Sequence, residues 1–446
     1  PHVTFTGAPL HEAPVGGLLS LIILAISLTL MAIMLFCMLY HAPIVITGVF
    51  GKDRHEARGT DPDDPPMVSV IVPARNEETV IGRCLKALLN SDYPKDRLEI
   101  IVVDGASTDG TWDICKEFEK AHPDLVKAIR EEEARGKPAA LNLALKHAKG
   151  EIITVFDADS VPARDTISKA VEKFSDPKVA AVQGRLFSLN EDENMFTKLI
   201  ALEEKAWNQV IVRGRWRLGL FVPLFGTCMF VRRSVLDAVG GFDESSLTED
   251  VDLAVKITKM GYETVYVDEA PSGIETVSNV AAYFRQRLRW FQGYMKTLIK
   301  YGSLLKKPSF KTLDTEVALS GPYVMSLSFF NYVCWALYAV FPHNPNVSQL
   351  IPLVLGAVLT TVSLLIAGVA LTLYHRPVKP LNLLWIPVVY AYWILQSFVA
   401  TVALINTVFR RSSRWVKTEK TGRVTVDLDA LISGGSQPRF SREKLY

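Results

Sequence analysis

Cysteine is scarce. The 446 residues hold five, Cys37, Cys84, Cys115, Cys228 and Cys334, and no two of them form a Cys-x-x-Cys pair. That scatter argues against a disulfide framework or a zinc site and fits a reducing compartment. An excess of charge of one sign is also lacking. Lys and Arg number 49 against 47 Asp and Glu, a net charge of +2, so the overall balance gives no reason to expect nucleic acid as a partner. From Val15 to Phe50 there is no Lys, Arg, Asp or Glu at all. No positive n-region precedes this run and no obvious cleavage site ends it, so it reads as an anchor rather than a removed leader.

What is present is a split composition. Hydrophobic residues make up 49% of the chain and charged residues still 22%, with a mean hydropathy of +0.19. The expectation is a soluble domain joined to membrane segments. Residues 1–15 read as an extracytoplasmic tail and 16–50 as a first transmembrane helix. Lys52, Arg54 and Arg58 then put the next region on the cytoplasmic side, and the Pro- and Asp-rich linker of residues 59–66 releases the chain into a domain over 67–275. Interface helices are expected over 276–311, further spans over 318–341 and 351–374, and a cytosolic tail over 410–446. The last apolar stretch, 381–409, has Arg376 and Lys379 before it and Arg410, Arg411 and Arg414 after it. At about 1.5 Å per residue it cannot cross a ~30 Å core twice. It therefore reads as an interfacial or re-entrant helix bent near Pro387, with a fourth span as the alternative.

The domain over 67–275 alternates strand and helix patterns, which predicts a mostly parallel sheet covered by helices. Strands are expected at Met67–Pro73, Leu98–Val103, Glu151–Phe156, Val179–Gln183, Met229–Arg232 and Thr264–Val267. Helices are expected at Glu78–Asn90, Thr111–Ala121, Lys137–Ala148, Val251–Met260 and Tyr283–Ile299.

Five stretches carry candidate chemistry. Asp157-Ala158-Asp159 follows the central strand, where two hard oxygen ligands suit Mg²⁺ or Mn²⁺, although a polar turn would look the same. Asp104 ends another strand before Gly105 and Gly110, whose spacing fails as a dinucleotide fingerprint but allows a base or ribose to approach. In Thr248-Glu249-Asp250 the residues either cap the following helix or supply a general base, Asp250. Gln286 and Arg289 lie three apart on one helix face, beside Trp290, and suit phosphate oxygens and the apolar face of a sugar; an ordinary amphipathic interface helix has the same look. Trp415-Val-Lys-Thr-Glu-Lys420 reads as a basic juxtamembrane tail or as a loop over the site.

In order and spacing these residues, with Pro73-Ala-Arg-Asn-Glu77, Arg135-Gly-Lys137 and Gly226-Thr227, closely resemble the membrane-embedded family 2 glycosyltransferases, the cellulose, chitin, hyaluronan and poly-N-acetylglucosamine synthases. The resemblance covers about Val68 to Lys420. It implies an α/β GT-A domain inserted between transmembrane helices, three spans with interfacial helices, and inverting transfer of a sugar from a nucleotide donor, a UDP-sugar. Asp104 would hold the base, Lys137 would lie near the uridine or phosphates, and Asp157 would support the nucleotide or donor sugar. Asp159 would ligate Mn²⁺ or Mg²⁺, Gln286 and Arg289 would clamp the diphosphate, and Asp250 would deprotonate the acceptor. Gly226, Thr227, Glu249 and Trp290 would line the acceptor side. Thr418 and Lys420 would close over the nucleotide, with Lys417 standing where the family usually has Val.

The leading expectation is a processive enzyme that elongates and extrudes a β-linked polysaccharide, with the bilayer and a growing glycan as partners. The alternative is transfer of one sugar to a membrane lipid of ceramide or polyprenyl type. A receptor or transporter with an α/β domain is the non-enzyme reading. Three spans would line a channel only narrowly, so a second copy of the chain is a further candidate partner, while the 26 residues after Lys420 are too few for an added regulatory domain.

Overall fold

The computed structural model describes residues 15–54, 64–304, 306, 308–340, 354–355, 358, 361–362, 386–411 and 420–433. Residues 1–14 of the expected tail 1–15, most of the linker, most of the expected span 351–374 and the residues Trp415, Lys417 and Thr418 lie outside them.

The sheet grows from strands buried on both faces. Val68–Ala74 (β1) is buried throughout except Pro73, and Leu98–Asp104 (β2) and Ile152–Val155 (β4) are nearly as apolar. Such strands show no in–out alternation and belong mid-sheet. β1 pairs in parallel with both β2 and β4, and Val126–Arg130 (β3) adds in parallel to β2. Val161–Pro162 (β5), Val179–Ser188 (β6), Met229–Arg232 (β7) and Glu263–Ile274 (β8) complete the order β3-β2-β1-β4-β7-β6-β8-β5. The pairs β4–β7, β6–β7 and β5–β8 are antiparallel. The sheet is thus mixed, where the alternating pattern predicts a mostly parallel one. A four-residue apolar strand reads the same in either direction, so its orientation is not written in its composition.

Side-chain alternation divides the core in two. Val68, Val70, Val72, Ile100 and Val102 face one layer, and Ile71, Ile101, Val103, Ile153 and Val155 face the other. Flanking helices cover these faces after a first long one: α1 (Val15–Phe50), α2 (Ile81–Leu89), α3 (Thr111–Ala121), α4 (Lys137–Leu145) and α5 (Thr166–Val171). Residues 195–217 form an unbroken helical run that the sequence pattern does not reveal: α6 (Met195–Ala206), a π-helical turn at Trp207–Val212, and α7 (Arg213–Arg217). Then come α8 (Arg233–Ala238), α9 (Glu249–Lys259) and α10 (Val280–Tyr301). The chain ends in α11 (Phe310–Leu319), α12 (Gly321–Val340), α13 (Ile386–Val408) and α14 (Leu428–Ser433).

Among the described residues two helices are long and apolar enough to cross a membrane, Leu28–Phe50 within α1 and Pro387–Val408 within α13. α12, expected as a span, is not one of these two. The expected bend near Pro387 falls at the edge of residues 381–385, which lie outside the described residues.

α1 docks against the 207–217 run through small residues. A Cβ on Gly48 would stand 2.0 Å from the Val210 carbonyl oxygen, and one on Gly214 would stand 2.0 Å from that of Ile44. The Arg217 guanidinium donates to the Thr47 and Gly48 carbonyls at 2.8 Å, a cation at the carboxyl end of a helix.

Candidate active site

The chain order around β1, first outward to β2 and β3 and then back across to β4, makes a topological switch point, and ligands in open α/β sheets sit at the strand carboxyl ends there. Asp104 is the last residue of β2 and is fully buried. Its Oδ2 accepts from the Ser107 N–H at 3.3 Å and faces Arg130 Nε at 3.2 Å, while Oδ1 has no partner among the described residues. An orphaned buried carboxylate oxygen fits a carboxylate awaiting an N–H or O–H of a base or ribose. The loops around it are strained. Asn76, in the loop after β1, and Ala106, in the loop after β2, adopt φ of +54° and +53°, a region that residues other than glycine rarely hold.

A second cluster gathers on the β4 side. Lys137, first residue of α4, donates from Nζ to Asp157 Oδ1 at 2.6 Å and to the Gly226 carbonyl at 2.8 Å, and lies 3.7 Å from Glu249 Oε1. Burial alone would lower the Lys137 pKa, but Asp157 and Glu249 hold it above the usual lysine range. Gly226 has φ +74°, and a Cβ there would meet Asp250 Oδ2 at 3.0 Å and Lys137 Nζ at 3.1 Å. Lys137 and Asp250 therefore crowd one glycine, with Asp157 and Glu249 on the lysine. Burial, together with the neighbouring Glu249, pushes the Asp250 carboxyl up to about 7, a value matched to proton transfer near neutrality.

The helix after the Thr-Glu-Asp stretch begins at Glu249, and Thr248 makes no side-chain cap bond. Asp250 Oδ1 does accept from the next backbone N–H, Val251, at 2.9 Å. The Thr227 hydroxyl accepts from the Asp157 N–H at 3.0 Å and pairs with Ser160 Oγ at 2.8 Å, so it fixes the turn that carries the two aspartates.

Asp159 is reached from the far end of the chain. Its Oδ2 accepts from the Glu275 N–H at 3.0 Å and pairs with Lys420 Nζ at 2.7 Å. Burial would raise its pKa, but Lys420 holds it below the usual carboxylate range. Glu275, unmarked by any sequence pattern, clasps this segment. Its carboxylate accepts from the Thr421 and Gly422 N–H groups and from Arg83 at 3.0 Å.

On α10, Gln286 is half-buried. Arg289 Nη1 reaches the Leu247 carbonyl at 3.3 Å, just ahead of the Thr-Glu-Asp stretch. The Trp290 ring carries the Arg287 guanidinium 4.5 Å from its centroid. Of the expected site residues, Lys137, Asp157, Gly226, Glu249 and Asp250 are thus brought together, Asp159 and Lys420 meet, and Thr418 lies outside the described residues.

Among the described residues no group of three or more His, Cys, Asp or Glu side chains forms a closed metal site. Each of the two carboxylates on this turn carries an ammonium group, Lys137 on Asp157 and Lys420 on Asp159, which marks a place for positive charge that a divalent ion shared with substrate phosphates would also fit.

Comparison with known proteins agrees with this geometry. Residues 65–293 match the family described as glycosyltransferase like family 2. A probable glycosyltransferase, YdaM, of Bacillus subtilis is 34% identical over 53% of this chain. The beta-monoglucosyldiacylglycerol synthase of a Nostoc species is 36% identical over 60% of it. In both cases the match spans 57% of the relative's length. The solved mannosyltransferase PcManGT of Pyrobaculum calidifontis, in complex with GDP-Man and Mn²⁺, superposes with a TM-score of 0.62 at 25% identity, over 87% of this chain and 100% of that one. The fold is GT-A with a mixed sheet, and the chain belongs to the family 2 glycosyltransferases.

Proposed function

We propose that the chain transfers a sugar, with inversion, from a nucleotide sugar to a hydroxyl group of an acceptor at the membrane surface. The observation that carries this is the convergence on Gly226 of Asp250, buried and poised near neutrality, with the Lys137–Asp157 pair at the β4 end. In this reading the free Oδ1 of Asp104 binds the base, and Lys137 and Arg289 carry positive charge toward the diphosphate, with Gln286 on the same face. Asp250 takes the acceptor proton, Glu249 keeps Lys137 in place, and Trp290 offers an aromatic face to the acceptor sugar. Asp159, with Asp157 beside it, would hold Mn²⁺ or Mg²⁺, which would offset charge that develops on the leaving diphosphate.

For the acceptor we favour a lipid over a polymer. Tyr392 and Gln396 of the apolar helix α13 bond directly to Glu203 on α6, next to Arg287 and Trp290, so the acceptor side abuts a membrane-type helix. Relatives named as glucolipid synthases point the same way. The polymer reading has its own support in Lys420, which reaches Asp159 as a loop over the nucleotide of a processive enzyme would. Both readings place the catalytic domain in the cytoplasm and the N-terminus outside. The test is product size. The full chain in lipid, given radiolabelled UDP-glucose, UDP-N-acetylglucosamine or GDP-mannose with Mn²⁺, should yield label that extracts with lipid as a single-sugar adduct. High-molecular-weight material would replace the lipid reading with the polymer one, and no transfer from any donor would overturn both.

A further inference from the structure

Two consecutive glutamates on α6 have opposite fates. Glu203 is fully partnered: it accepts from Arg287 Nη2 at 2.8 Å, from Gln396 Nε2 at 3.0 Å and from the Tyr392 hydroxyl, and so joins α6, α10 and α13. Glu204 is half-buried, yet its Oε2 is inaccessible and has no partner among the described residues. One turn on, inside the π-helical stretch, the Asn208 amide donates to the Glu204 carbonyl at 2.8 Å while its own Oδ1 is left without a partner. Arg287 Nε is a third buried orphan, and its guanidinium lies on the Trp290 ring. Glu204 thus stands just before the π-helical stretch and next to Glu203, whose partner Arg287 lies on the Trp290 ring.

An unmet buried polar atom costs about 1–3 kcal/mol. Two acceptors and a donor left unmet together, next to an indole face, are the complement of a sugar or glycerol, whose hydroxyls both donate and accept and whose C–H face stacks. Two neighbouring carboxylates against one arginine disfavour an anion. A π-turn inserted in a helix is also a common mark of a functional position.

We propose that Glu204, Asn208 and the Arg287 Nε–H form a hydroxyl-binding subsite that receives the neutral, polyhydroxylated end of the acceptor and selects against phosphorylated acceptors. The inference rests on the glycosyl-transfer reading above and names the acceptor chemistry of that same site.

The test uses the full chain in lipid nanodiscs and measures equilibrium binding of dodecyl β-glucoside, of dodecyl phosphate, and separately of UDP. The wild type should bind the glucoside at least tenfold more tightly than the phosphate. Glu204→Gln and Asn208→Ala should each weaken glucoside binding about tenfold, the scale of one hydrogen bond to a charged or buried group, and leave UDP binding unchanged. Equal affinity for the two amphiphiles, or glucoside binding unaltered in both variants, overturns the subsite. Loss of UDP binding in the wild type would instead overturn the donor-site reading, while the glucoside-to-phosphate comparison still decides the subsite.

Discussion

At the scale of single residues, the proposed chemistry centres on Asp250 and Gly226. With its carboxyl pushed up to about 7 by burial and by Glu249, Asp250 is mostly protonated below that pH and available as a base above it. The expected kcat/KM profile therefore rises as pH increases through about 7 and levels off above. A flat profile between about pH 6 and 8 would remove Asp250 as the base. Asp250→Asn should lower kcat by about 10²–10⁴-fold with nucleotide affinity retained, as read by calorimetric titration of UDP. Gly226→Ala combines a disfavoured φ of +74° with a Cβ 3.0 Å from Asp250 Oδ2. It should destabilise by about 1–3 kcal/mol and displace the base, so thermal unfolding and activity should fall together. Residues of this kind were legible in the sequence because Asp157-Ala-Asp159 and Thr248-Glu249-Asp250 are contiguous. Glu275, Glu204 and Arg130 were not, because each acts through a partner far away in the chain: Glu275 on Thr421, Glu204 beside Arg287, Arg130 on Asp104.

At the scale of elements, periodicity located most strands and the helices α3 and α10, whose apolar residues recur at regular spacing, but it passed over residues 195–217. That run mixes Trp207, Arg213, Arg215, Trp216 and Arg217, and its polar members face α1 and α11 rather than water, so no helical stripe is visible. β3 was equally hidden, with Lys127 and Arg130 breaking its apolar character at the sheet edge. The segment after α13 was anticipated as a loop over the site, but not the clasp that seats it. Glu275 holds Thr421, Gly422 and Arg83, and Val424, Val426 and Leu428 then pack beside Leu189 and Val161. Glu275→Gln keeps the size of the side chain but removes its charge and one acceptor. Limited trypsin digestion should then cut faster at Lys420 and Arg423 in the variant, with cleavage in the sheet domain unchanged. Equal cutting rates would show that the apolar contacts of the segment suffice without the clasp.

At the scale of the whole molecule, charge asymmetry and apolar length predicted a soluble domain bound to membrane helices, but they could not show how the parts are joined. The joint is a buried polar knot. Asp314 on α11 is nearly inaccessible, and so is Arg215 on α7, which it meets at 2.7 Å. The second carboxylate oxygen accepts from the Phe221 N–H at 2.6 Å, and the Tyr40 hydroxyl of α1 bonds to the first. Three segments far apart in sequence, at residues 40, 215–221 and 314, thus share one carboxylate. A buried pair of this kind contributes little when replaced whole by apolar residues of similar volume, but removal of one partner leaves an uncompensated charge at about 3–5 kcal/mol. Asp314→Ala should therefore lower the unfolding midpoint sharply and release α1 from the catalytic domain, seen as new protease cleavage near Asp53. The paired replacement Arg215→Met with Asp314→Leu should recover most of that loss, because no charge is then stranded. If the double variant is instead as unstable as Asp314→Ala, the bonds to Phe221 and Tyr40, rather than the ion pair, hold α1 to the domain.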